Sequence, residues 1–259
     1  MIPHASHQPP SPVQVFPSGT PGAGALAEHV LTTGHGQWWT DRIERPRVVA
    51  VASGGHALLA GDPTAVTAAE LAPLAGHFIE AADRFLPVPG AAFDQLVPWP
   101  RMLYVHRSEG TEPRIPRGVT VRPLTADDVP ALAALDLSMA WIHATWGGPA
   151  ALASSGLARA AFRKDRVIAV ACSRFVGSRY EDVACATAPG ERRQHLALAC
   201  VEGVTADIAA RGRTATWSCS RDNRPSRLLA WTAGYRLDRE YVHHAAGPAA
   251  RTSGLPAAA

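Results

Sequence analysis

The sequence predicts a mixed α/β fold built on a partly antiparallel sheet, and three observations predict it. Neighbouring apolar runs joined by tight turns, such as "LARAAFR" and "VIAVACSRFV" around "KDR", read as hairpin strands. Farther on, strands alternate with helices: "EDVACAT", the helix "QHLALACVEGVTADIAARG", then "TATWSCS". The 259 residues are 47% hydrophobic and 18% charged, a globular balance, and the length suffices for two ordinary units that need no disulfide or metal staples.

Residues 1–24 are rich in Pro, Ser and Gly without periodicity, and the stretch 247–259 is rich in Ala, Gly and Pro, so both read as flexible tails. An N-terminal α/β domain is expected over 25–112. In it "RVVAVAS" and "HALLAGDP" form two strands around Gly54 and Gly55, Thr64 starts a helix over "TAVTAAELAPLAGHFIEAADRFL", and "RMLYVHR" is another strand. The linker "EGTEPRIPRG" carries two prolines and mixed charge, and a second domain follows over 118–246. There "VTVRPL" is a strand, Thr125 caps "ADDVPALAAL", and "GPAALASS" is a helix ahead of the hairpin. After "TATWSCS" come a short helix "RPSRLLAWTAG" and a last strand around "YRLDREYVHH".

The net charge of +3 is too mild to mark a nucleic-acid binder but leaves room for one polyanionic ligand. Lys164 is the single lysine, so arginine enrichment is a background feature and arginines inform only by placement. Cys172, Cys185, Cys200 and Cys219 lack paired CxxC spacing and read as buried thiols of a reducing compartment. No apolar stretch is long enough to span a bilayer and no signal-like start is present, which leads to the expectation of a soluble cytoplasmic protein without membrane partners, as monomer or homodimer. Histidine spacing predicts no metal.

One stretch carries most of the chemistry: a strand ending at Val183–Thr187, then Pro189, then Arg192 opening "RRQHLA" at a helix start. Farther along, "DNRPSRLLAWTAGY" supplies Asn223, Ser226, Gly234 and Tyr235. In this order these segments resemble the GNAT superfamily of N-acyltransferases, in particular a bacterial branch with an additional N-terminal region. The resemblance covers about 119–244 well and reaches weakly into "WWTDRIERPRVVAVASGGHALLAGDP". It implies a GNAT-like fold in the second domain and a smaller N-terminal domain that is a candidate degenerate copy of it.

The physical logic runs alongside. A helix N-terminus offers unpaired N–H groups and partial positive charge to a pyrophosphate, and a splayed strand offers its free edge to an extended arm. The resemblance thus implies donor contacts from Cys185, Thr187, Arg192, Arg193, Gln194, His195, Leu196, Ala197 and Asn223, with acetyl-CoA as co-substrate. Arg193 and His195 stand where the family usually has glycine, and Ala230 stands where many relatives place the tyrosine that protonates the leaving thiolate. Ser226 or water is then the source of that proton. For the base, the resemblance points to a carboxylate on the strand before the loop, Glu181 or Asp182, of which alternation lets only one serve; Glu181 is preferred. The acceptor side is expected from "MAWIHATWGG", with Trp141, His143, Thr145 and Trp146 supplying flat surfaces and hydrogen bonds. Trp38 and Trp39 read as packing between the two halves.

The leading expectation is transfer of an acyl group to the amine of a small molecule in specialised metabolism or resistance. The altered loop keeps open a second donor class, an aminoacyl-tRNA or a carrier-protein thioester. A non-catalytic GNAT-like binding module is the third reading.

Overall fold

The computed structural model describes residues 1–7 and 16–247. The chain opens with strand β1 (Ile2–His4), helix α1 (Ala23–Thr33), β2 (Gln37–Thr40), β3 (Val48–Ser53), β4 (His56–Gly61) and β5 (Phe78–Ala81). Helix α2 (Pro87–Ala92) and the long β6 (Leu96–His106) follow. Then come β7 (Thr120–Pro123), α3 (Val129–Ala133), α4 (Pro149–Ser154), β8 (Ala158–Arg163), β9 (Arg166–Val176) and β10 (Tyr180–Thr187). The chain continues with α5 (Leu196–Ala210), β11 (Thr214–Ser220), α6 (Arg224–Thr232) and β12 (Tyr235–Ala246).

All these strands join one sheet in the order β1-β2-β3-β4-β5-β12-β6-β11-β10-β9-β8-β7. The class is the mixed α/β one expected, but the N-terminal strands do not form a separate sheet: they extend the other strands through the β5–β12 pair, His244 against Ile79. Strand β6, which precedes the linker, is hydrogen-bonded on one side to β11 and on the other to β12. The sheet curls strongly, since His56 of β4 and Phe175 of β9, well separated in strand order, bring their rings within 6.5 Å. Helix α1 bridges this curl, its Leu26 and Val30 packed with Val49, Val51 and Phe175.

Two elements depart from expectation for local reasons. The helix expected from Thr64 is a series of 3-10 turns followed by β5, because Pro73 removes a helical donor and Gly76 adopts φ 82°, which ends the coil. Its cap is Asp62, whose carboxylate accepts from the Thr64 N–H, not Thr64 itself. Ile2–His4, expected in a loose tail, pairs with Trp38–Thr40 of β2. Residues 8–15, and the C-terminal tail past Gly247, lie outside the described residues.

Elsewhere local chemistry matches. Thr125 and Asp128 form a reciprocal capping box ahead of α3, with Asp128 also held by both Arg122 guanidinium nitrogens at 2.7 Å. Trp38 and Trp39, expected to pack between the two halves, are seated in the N-terminal half instead: Trp38 is fully buried beside Phe16, and Trp39 packs at the edge of the N-terminal core. All four cysteines are free and buried, and burial pushes the Cys172 and Cys200 thiols up to about 12.

Candidate active site

Strands β10 and β11 run parallel but stay paired only from Tyr180–Thr214 to Val183–Trp217. A bulge in the β10–β9 ladder falls opposite the step from Asp182 to Val183, where Arg174 of β9 is the extra residue. Beyond it Ala184–Thr187 keep, among the described residues, only β9 as partner, while Ser218–Ser220 pair with β6. The strands therefore part, and the inner edge of β10 presents backbone groups that an extended ligand can pair with.

The loop after β10 leads into α5 through Arg193 at φ 61° and His195 at φ 60°. These are the two places where the resemblance expects glycine, and the backbone keeps there the left-handed conformation glycine would supply, at a cost of roughly 1 kcal/mol each. No side chain caps α5, so its first-turn amides remain available to an anion. The loop is braced from below: Glu191 is paired with Arg163 at 2.9 Å and Arg166 at 3.4 Å, and Gln194 donates to Glu191. Gln194 thus braces the loop and does not line the groove beside it.

That groove has a volume of ≈ 670 Å³. Thr187, Arg192, Arg193, His195, Leu196 and Ala197 line one side, as the sequence reading expects of a donor site. The opposite wall is α6, with Pro225, Leu228, Leu229 and Thr232. Leu228 is 63% exposed, a large apolar side chain left open at the groove. The buried Thr187 Oγ1 has no hydrogen-bond partner among the described residues.

On the other side of the parting strands lie two adjoining cavities of ≈ 40 and ≈ 60 Å³ that share His56, Arg101, Arg174 and Ser218. Asp182 and Cys185 open into them, one into each. Asp182 accepts from Ser218 Oγ at 3.0 Å, and burial holds its carboxyl above the usual carboxylate range against the opposing pull of Arg174 and Arg101. A chain of polar groups continues away from it: His56 Nδ1 lies 3.3 Å from His243 Nδ1, and His243 Nε2 lies 3.2 Å from Glu80. Burial lowers both histidines, so the pair is neutral at neutral pH.

The preference for Glu181 over Asp182 does not survive the geometry. Glu181 is 0% exposed, and its oxygens accept from Arg211 at 2.8 and 3.1 Å, from Arg213 at 2.9 Å and from Ser173. Its parity is that of Val183 and Cys185, as the sequence suggests, but that face packs under α5. It is a structural anchor at the end of α5.

Asn223 caps α6 by accepting from the Ser226 N–H, and both residues line the second cavity. Ser226 is buried, and its Oγ accepts from Trp217 Nε1 at 3.0 Å. Ala230 is buried in the core. Of the four residues expected at the acceptor side, Trp141 reaches the second cavity. Trp146 is buried and donates to the Ser173 carbonyl, Thr145 is buried against Gly54, and His143 lies outside both cavities. Trp146 and Thr145 thus pack the loop onto its neighbours.

Sequence reasoning missed Arg101, Arg174, His56 and His243, which four different strands bring together. A signal existed for two of them: Arg101 and Arg174 each sit in an otherwise apolar strand, "RMLYV" and "VIAVACSRFV".

Comparison with known proteins agrees with this geometry. A family model described as GNAT acetyltransferase matches residues 21–244. A Streptomyces virginiae protein, named an uncharacterized N-acetyltransferase in the mutA 5′ region, is 53% identical over 212 residues, covering 82% of this chain and 90% of the relative. A GCN5-related N-acetyltransferase-like protein from Streptococcus suis shares the fold with a TM-score of 0.67 at 15% identity, over 88% of this chain and 95% of that one. An acetyltransferase of the GNAT family from Colwellia psychrerythraea gives a TM-score of 0.58 at 13% identity, over 87% and 90% of the two chains. By sequence, fold and the arrangement of its parted strands, the chain belongs to the GNAT acetyltransferase family.

Proposed function

We propose that the protein transfers an acyl group, acetyl from acetyl-CoA, to the amine of a small molecule by direct attack within a ternary complex. The observation that carries this reading is the pair of left-handed residues Arg193 and His195 ahead of the uncapped helix α5. The loop keeps the shape of an anion cradle although its side chains have changed. This favours a coenzyme A donor over an aminoacyl-tRNA or a carrier protein, and a working transferase over a binding module. In this reading the pyrophosphate meets the α5 amides with Arg192 and Arg193 beside it, and the pantetheine arm runs along the free edge of Ala184–Thr187.

The thioester carbonyl then lies at the point where β10 and β11 part. Asp182 is the candidate base. It takes the proton of the acceptor ammonium, and burial raises its affinity for protons in the direction that role requires. The free amine attacks the carbonyl carbon, the C–N bond forms, and the C–S bond breaks. The nitrogen gives up its second proton as the amide forms, this proton passes through Ser226 or water to the departing thiolate, and no covalent enzyme intermediate is involved.

Titration calorimetry with acetyl-CoA tests the reading. Binding with micromolar affinity is expected. Absence of heat with acetyl-CoA, alongside salt-dependent binding of an aminoacyl-tRNA, would transfer the assignment to the second donor class.

A further inference from the structure

The acceptor cavity has an uneven distribution of charge that the transfer reaction itself does not need. Arg101 is 5% exposed, and its buried Nε has no hydrogen-bond partner among the described residues. Arg174 is half-buried on the facing strand. Among the described residues neither guanidinium lies within ion-pair distance of a carboxylate. Aromatic rings hold them instead: Arg101 lies 4.2 Å over the Trp99 ring, and Arg174 lies 5.0 Å over Phe175.

A ring fixes the plane of a guanidinium but uses none of its N–H donors, so both forks stay free to grip a planar anion. Burying two such cations without a partner is costly, and a ligand carboxylate would offset that cost. The same cavity holds Asp182, while Glu80 is engaged by His243. A phosphate dianion entering here would meet both of these carboxylates. A zwitterion would not suffer that repulsion, since its ammonium faces Asp182 and its carboxylate faces the arginines.

We infer that the acceptor is a small amino acid, held by its carboxylate between Arg101 and Arg174 with its amine directed at Asp182. This deepens the transferase reading and rests on it for the role of the amine. The cavities, of ≈ 40 and ≈ 60 Å³, suit a molecule of that size and exclude a long polyamine or an aminoglycoside from the enclosed part.

The test has two arms. In the first, the melting temperature of the wild-type protein is measured with each proteinogenic amino acid, with β-alanine, and with the carboxamide of each. At least one free acid is expected to raise it while its amide does not; if no acid outperforms its amide, the inference is overturned whether or not a donor binds. In the second, acetyl-CoA consumption is followed with the acid and amide pairs. The acid is expected to exceed its amide by at least about tenfold in kcat/KM, as loss of a charged hydrogen-bonded contact predicts. Arg101→Gln and Arg174→Gln should raise KM for the acid more than for the amide and so narrow that gap; Arg101→Lys and Arg174→Lys should recover part of it. Equal turnover of acid and amide would sink the carboxylate site, whereas failure of acetyl-CoA to bind in calorimetry would sink the transferase reading.

Discussion

Glu181 and Asp182 are neighbours in sequence whose carboxylates serve opposite faces of one strand: Glu181 is closed in by Arg211, Arg213 and Ser173, and Asp182 opens into the cavity beside Ser218. Replacing each by its amide should separate chemistry from stability. Asp182→Asn is expected to lower kcat by about 10²-fold or more while acetyl-CoA still binds, because only the proton acceptor is lost. Steady-state rates paired with calorimetry check this, and an unchanged kcat would remove Asp182 from the mechanism.

Glu181→Gln should behave the other way. Taking the charge from a carboxylate bonded to two arginines leaves both without a counterion, and a loss of about 3 kcal/mol in unfolding free energy is expected. Urea unfolding measures it, and donor affinity should not move.

The loop offers a conformational test. At His195, φ 60° suits glycine and is tolerated by histidine but strains a β-branched side chain. His195→Gly should hold the acetyl-CoA Kd within about threefold, and His195→Val should raise it by more than about tenfold, since valine pushes the backbone out of the left-handed region. If Val and Gly give equal affinities, the backbone shape of the loop is not what binds the donor.

His29 predicts a loss of stability in acid. Its Nδ1 accepts from the Val176 N–H, so the proton sits on Nε2 and is donated to the Thr145 carbonyl at 2.9 Å. The bond accepted by Nδ1 needs the neutral ring, whereas the one to Thr145 survives protonation; burial outweighs the latter and lowers the pKa from 6.5 to about 4. The folded pKa lies below the unfolded one, so the stabilisation is complete above pH 6.5 and fades as pH falls towards about 4. The amount at stake is on the order of 3 kcal/mol. Melting temperatures across that window should drop more steeply for the wild type than for His29→Gln. His56 and His243 contribute with the same sign, so only the difference between the two proteins reports on His29.

Much of this was legible in the sequence where one segment determines its own state. The alternation of "TATWSCS", the Thr125–Asp128 capping box and the order of motifs from Val183 to Tyr235 all carry local signals, and each is found in place. What stayed hidden depends on partners distant in the chain. Parity put Glu181 and Asp182 on opposite faces, yet which face is filled by α5 is decided by packing that parity does not encode. Arg101 and His243 meet only because β6 enters between β11 and β12 and β12 reaches β5. The segment after Thr64 misled because its apolar spacing suits a helix, whereas Pro73 and Gly76 forbid one.

The position of β6 also shapes how the chain comes off the ribosome. Leu96 pairs with Ala246 and Arg101 with Ser220, so this strand is made early and has neither hydrogen-bonding neighbour until the last elements have been synthesised. Throughout that interval its apolar core-facing residues Met102–Val105 wait with both edges open. Closing β6 between two later strands therefore requires long loops to shut, which makes its pairing a slow step of folding.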